Sequence, residues 1–241
     1  MSTLEVNSID KESGSTLTLG GSGTQVTLHA SATSSGFDSG LASVQTFTSS
    51  GTWTKPATGI TKVVVEVQGA GCGGGEYNAQ TRVKGGPAGG YAKKFLDVSS
   101  ISSATITVGA GGASKASGSN AIGNSGGASS WADGTNTITA NGGAMVHDVN
   151  LYSQELGGTA SGGDLNIPGQ STTTIDGQNR GGLGNSGTGG NSVFGFGGMA
   201  KDTSTNEKYP DGVGYGSGGG GGYQQASGAG ANGIVIVWEY K

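Results

Sequence analysis

The sequence predicts an all-β protein in two parts: a short intertwined β stem over residues 1–40 and a glycine-rich β-sandwich-like head over residues 41–241. Three observations predict this. Short runs alternate apolar and polar residues with the period of a strand. No segment carries the apolar stripe of an amphipathic helix. Glycine occupies 53 of 241 positions, far above the roughly 7% of an average protein. Only 32% of residues are apolar and 12% charged, so the core is thin or completed by another copy of the chain. Disorder is the rival for so polar a chain, because too little burial is left to offset ordering entropy. Low charge and several β-branched strands oppose it.

The stem elements are Leu4-Glu-Val6-Asn-Ser-Ile9, Thr16-Leu-Thr-Leu19 and Gln25-Val-Thr-Leu28, the last two separated by Gly20-Gly21-Ser22-Gly23. Three such strands in about 40 residues cannot bury their apolar faces alone. Pooling the faces around a three-fold axis solves this, so a homotrimer is expected. His29 closes a stem strand as a packed or solvated residue, with a three-copy metal site on the axis as the alternative. Residues 36–43 read as a linker.

The head opens with Val44-Gln-Thr-Phe47 and Gly51-Thr-Trp53, then Ile60-Thr-Lys-Val-Val-Val-Glu-Val67, the best strand in the chain. Tyr91–Val98 and Ala104–Val108 come next. Ser129–Ala132 turns at Asp133-Gly134 into Thr137–Thr139, a hairpin signal. Gly233–Tyr240 is the last strand. A strong strand near each end of the head predicts that the two pair in one sheet, with glycine-rich tracts projecting between them. Residues 1–68 hold 8 glycines, whereas residues 69–90 alone hold 9.

The ordered set Phe47-Thr-Ser-Ser-Gly-Thr-Trp-Thr-Lys-Pro56, the Thr61–Val67 strand with its glycine run, Gly85-Gly-Pro-Ala-Gly-Gly-Tyr-Ala92 and Gly230-Ala-Asn-Gly-Ile-Val-Ile-Val237 resembles the glycine-rich domain at the C-terminal ends of bacteriophage tail fibres. Gly14–Leu28 is similar to the stem segments that precede such domains. The resemblance covers about residues 12–112 and 227–241, not the centre at about 144–215. It implies a homotrimer in the virion, docked on other phage tail proteins through its N-terminus and attached to a host glycan or outer-membrane protein, with no cofactor. The alternative is a structural fibre or collar protein that binds only other phage proteins.

Three glycine chemistries separate on spacing. Collagen needs glycine at every third position with abundant proline, and this chain has irregular runs and 4 prolines. Gly69-Ala-Gly71-Cys-Gly-Gly74 is a literal G-x-G-x-x-G after a strand. Residues 75–87, however, are too short and too broken to form the helix whose N-terminus must receive a pyrophosphate. The third is close packing of extended glycine backbone, for which polyglycine-II helices are one geometry.

Net charge is −4 with no basic block, so nucleic acid is not an expected partner. The longest apolar run is too short for membrane insertion, and the first residues lack the features of a secretory signal. Synthesis in the host cytoplasm is the expectation. Cys72 is the sole cysteine and reads as a small buried hydrophobe. Acidic residues are scattered without calcium-loop spacing, and no converging catalytic set emerges, so no enzymatic activity is expected.

The expected ligand contacts lie in the glycine-poor insertions 76–84, 145–155 and 199–209. Tyr77, Arg82, Lys84, His147, Asn150, Tyr152, Lys201, Lys208 and Tyr209 supply aromatic platforms with amide and charged groups suited to sugars or protein loops. Phe194, Phe196, Tyr215 and Tyr223 are expected as wedges filling glycine-lined space.

Overall fold

The structure is a computed structural model that describes residues 40–57, 59–77, 83–146, 154–172, 187–201 and 207–241. The stem expected at 1–40, with His29, lies outside the described residues except for Gly40. Among those described there is no α- or 3₁₀-helix, and the head is all-β. Its strands are β1 (Leu41–Phe47), β2 (Gly51–Thr54), β3 (Lys62–Gln68), β4 (Glu76–Tyr77), β5 (Tyr91–Asp97), β6 (Ser103–Thr107) and β7 (Ser129–Ala132). They continue with β8 (Thr137–Ala140), β9 (Ala160–Ser161), β10 (Leu165–Ile167), β11 (Phe194–Phe196), β12 (Val213–Tyr215), β13 (Gly222–Tyr223) and β14 (Ile234–Tyr240).

Two five-stranded sheets pack as a sandwich, in the orders β1-β14-β3-β5-β10 and β2-β6-β7-β8-β9. β14 lies antiparallel between β1 and β3, so the two ends of the head do share a sheet. Alternation decides which side chains enter the core: Val63, Val65 and Val67 of β3 are fully buried. Each contributes about 1.5–3 kcal/mol relative to an exposed position. They meet Val235, Val237, Ile106, Ile138, Trp53 and Trp131; the two indoles pack with centroids 5.0 Å apart at 47°. Trp53 Nε1 donates to Glu239 Oε1 at 2.7 Å, and Gln45 Nε2 donates to the same oxygen at 2.7 Å. Ser43 Oγ donates to Glu239 Oε2. One buried carboxylate therefore ties edge strand β1 to both sheets.

The hairpin at Asp133-Gly134 forms as expected, with Gly134 at φ +88° and the Asp133 carboxylate accepting from the N–H groups of Thr135 and Asn136. The linker expected at 36–43 is shorter. β1 already begins at Leu41, paired with Tyr240, because the free edge of β14 supplies hydrogen-bond partners that local composition does not reveal.

Beyond the sandwich the strands run on into glycine-rich segments whose hydrogen bonds have a period of three. Gly69, Cys72 and Gly75 donate to Gly90, Pro87 and Lys84. Ala70, Gly73 and Glu76 donate to Gly127, Asn124 and Ala121, and Gly71 and Gly74 to Ala231 and Gly228. All these bonds measure 2.8–3.1 Å. Successive N–H groups thus point a third of a turn apart, as in a polyproline-II-type helix with three residues per turn and no internal hydrogen bonds. Carbonyls of the same segment accept from Gly112, Gly143 and Gly219. Segment 69–76 is therefore surrounded by six others, those around 87, 112, 124, 143, 219 and 230. Backbone polar groups buried this way require partners, and the neighbouring helices supply them. Gly218 and Gly221 likewise donate to Gly190 and Gly187, and Gly219 and Gly222 to Cys72 and Gly75.

Such packing brings backbone against backbone. A Cβ on Gly71 would land in the carbonyl of Ser217, and one on Gly218 in the carbonyl of Gly86. Where the spacing is wider, small side chains fit, and Ala70, Cys72 and Ala88 are fully buried. Burial pushes the Cys72 thiol up to about 12, so it is a packing residue, with little thiolate at neutral pH.

Candidate functional site

Hydrogen-bond levels fix which ends of the bundle coincide. β3 enters segment 69–76 from the sandwich, and Glu76 at its far end lies beside Ala121, with Gly75 beside Lys84. Glu155 is paired with Thr172 at the level of Lys84, Gly187 with Val83, and Tyr209 with Ala226. The described flanks of the insertions, at Tyr77 and Val83, at Val146 and Gln154, and at Tyr209, therefore share one end of the bundle. The opposite end is the sandwich, where Lys241 N donates to Gly40 O at 3.2 Å. Among the described residues the chain turns back at this end over 114–120, which hold a single glycine, Gly118, because a turn has no six-neighbour packing to respect.

Glu76 organises this turn. It is fully buried, and Oε1 accepts from Gly118 N at 3.0 Å while Oε2 accepts from Asn120 N at 2.9 Å and Ser119 Oγ at 3.2 Å. The turn at 114–120 thus joins the same end as a held loop. Its role was not legible beforehand, since Glu76 and Ser119 are 43 residues apart.

Of the expected ligand residues, Tyr77 is half-buried on β4 at this end, where the chain pairs in parallel with β13. Lys208 is exposed and bonded to Asp211 at 2.6 Å. Lys201 pairs with Glu207, and that bond holds the Glu207 carboxyl below its usual range. Arg82, His147, Asn150 and Tyr152 lie outside the described residues. Two residues sit elsewhere than expected. Lys84 is fully buried, with Nζ 2.7 Å from Glu155 Oε1, and Tyr209 is 2% exposed. Neither presents its side chain to solvent. The reason is the bundle itself: Lys84 finds its countercharge 71 residues later in the chain, and the Tyr209 backbone is held against Ala226 O at 2.9 Å.

The aromatic wedges also divide. Phe194 is half-buried and meets Tyr91 edge-on at 5.7 Å. Phe196 instead is 74% exposed, on the flank of the bundle, where β11 and β12 form a separate two-stranded sheet. A strand pair so short has too little area to bury both faces.

On the outer face of the first sheet, burial pushes the Glu66 carboxyl up. Hydrogen bonds from Tyr91 Oη at 2.9 Å and Trp238 Nε1 at 3.2 Å, with Lys93 Nζ at 3.1 Å, outweigh this and hold it below its ordinary value of 4.5. Burial and the neighbouring carboxylate in turn push the Tyr91 hydroxyl up. A carboxylate held down in the folded state contributes stability in full above the unfolded value, and loses it as pH falls through the folded one. The stability difference between the native chain and Glu66→Gln should therefore be constant near neutral pH and shrink below about pH 4.5. Thermal unfolding of both proteins across pH 3–7 checks this, and a gap that widens on acidification contradicts it.

Among the described residues no group of three or more His, Cys, Asp or Glu side chains converges as a metal site would require. A comparison with curated proteins finds no match. The model of a glycine-rich domain family matches residues 43–240, almost the whole head, and the chain belongs to that family.

Proposed function

We propose that this chain is the receptor-binding end of a bacteriophage tail fibre, a homotrimer in the virion held through its N-terminal segment by other tail proteins. The end of the bundle remote from the sandwich contacts a host surface glycan or outer-membrane protein. One observation carries the reading: the described flanks of the glycine-poor insertions 76–84, 145–155 and 199–209 meet at a single end, remote from the sandwich. Variable loops on a rigid scaffold are the usual way a fold presents a binding surface. A trimer repeats the loops three times, and avidity can raise weak single-site affinity by about 10²–10⁴.

The test is binding of the purified full chain to candidate host cells, beside a variant with residues 147–153 replaced by an equally long Gly/Ser linker. The native chain should bind, and the variant should retain its β circular dichroism yet lose most cell binding. Binding to no host cell, combined with capture by other virion proteins, would replace this reading with that of a structural fibre part.

A further inference from the structure

The flank of the bundle carries a second surface that the distal loops do not share. Three adjoining pockets, the largest of about 440 Å³, run along β11, β12 and the neighbouring segments, and Asn191 lines all three. Phe196, Met199 and Val213 stand 74%, 72% and 66% exposed along it. Among the described residues, none lining the three pockets has a charged side chain. An anionic ligand would lose hydration there without gaining a countercharge.

Besides the hydroxyls of Tyr91, Thr188 and Ser192, the polar side chains lining this groove are the amides of Gln170 and Asn191, whose orientation is set. Gln170 Oε1 accepts from Asn191 N at 2.6 Å, and Asn191 Oδ1 accepts from Gly197 N at 2.8 Å. Each carbamoyl oxygen is thereby occupied, which leaves the NH₂ group of each exposed side chain as a donor with no acceptor among the described residues. Two fixed donors beside an exposed aromatic face and no charge fit a ligand with hydroxyl acceptors and an apolar C–H face. We infer that this groove is a binding site for a neutral oligosaccharide, with Phe196 as the stacking platform and Asn191 and Gln170 as the hydroxyl-binding groups. The inference stands whatever the distal end binds.

The experiment titrates the full chain by calorimetry with neutral hexasaccharides of glucose, mannose, galactose and N-acetylglucosamine. An acidic galacturonate hexamer and a blocked, uncharged Thr/Val hexapeptide serve as competing chemistries. At least one neutral sugar should bind. Phe196→Ala should weaken it about tenfold and Asn191→Ala about fivefold. Phe196 is exposed, so Phe196→Ala should leave the thermal midpoint unchanged, and Asn191→Ala should lower it only by the loss of the bond from Gly197 N. Replacing residues 147–153 should leave sugar affinity intact even where it abolishes cell binding, which separates this site from the distal one. Failure of every neutral sugar, equal or tighter binding of the acidic hexamer or the peptide, or affinity indifferent to both substitutions would each overturn the inference.

Discussion

Gly71→Ala should destabilise the head by about 3 kcal/mol or more, at the upper end of what overpacking costs. The added methyl group would occupy the position of the Ser217 carbonyl and crowd Gly218 N. Neither is the movable end of a side chain; both belong to a backbone fixed by hydrogen bonds of its own, from Ala231 N to Ser217 O and from Gly218 N to Gly190 O. Relief therefore means displacing a whole helix and weakening its bonds to the others. Gly51→Ala is the matched control, since a Cβ at Gly51 on β2 meets nothing within 4 Å; it should change stability by less than about 0.5 kcal/mol. Urea unfolding of the three proteins decides the matter. Equal midpoints for Gly71→Ala and the native chain would mean that the segments slide apart freely.

The second large effect is expected at the ion pair. Lys84 and Glu155 are both fully buried and 2.7 Å apart, and Glu155 Oε2 also accepts from Val146 N at 2.9 Å. Nearby, Thr172 Oγ1 donates to Gly85 O at 2.7 Å. The pair thus joins the segments around 84, 146, 155 and 172 where they approach the turns. Removing one partner, as in Lys84→Met or Glu155→Met, takes the opposite charge 2.7 Å away from a fully buried one and should cost about 3–5 kcal/mol. Replacing both should recover most of that loss, because two apolar side chains of similar volume leave no charge to solvate. The measurement is again urea unfolding, read as a double-mutant cycle. Single variants within about 1 kcal/mol of the native chain would contradict the expected desolvation cost.

These two sites also mark what the sequence could and could not disclose. β3, β14 and the β7–β8 hairpin were legible because alternation and Asp-Gly are local signals. β10 was not, since all three of its residues are exposed and nothing in its composition separates it from a loop. Packed glycine helices were legible only as one option among several. Their regularity lies in the hydrogen bonds, whereas the glycines fall only where a neighbour comes close, so Ala70 and Cys72 interrupt the pattern without breaking the helix. Lys84 looked like a surface cation because its partner lies far along the chain, and Phe196 looked like a wedge because glycines flank it. Insertions as such were easy to see. That the described flanks of 76–84, 145–155 and 199–209 meet at one end required the levels of the bundle.

A period of three gives the bundle something like a reading frame. Removing one residue from segment 69–76 would turn everything beyond it by a third of a revolution, aiming each N–H at the wrong neighbour. Removing three would shorten the helix by one turn and restore every direction. Length changes in the glycine tracts are therefore tolerable only in multiples of three, while the turns beyond them are free of the rule. Such a scaffold can exchange its distal segments for others of any length and still close on the same hydrogen bonds.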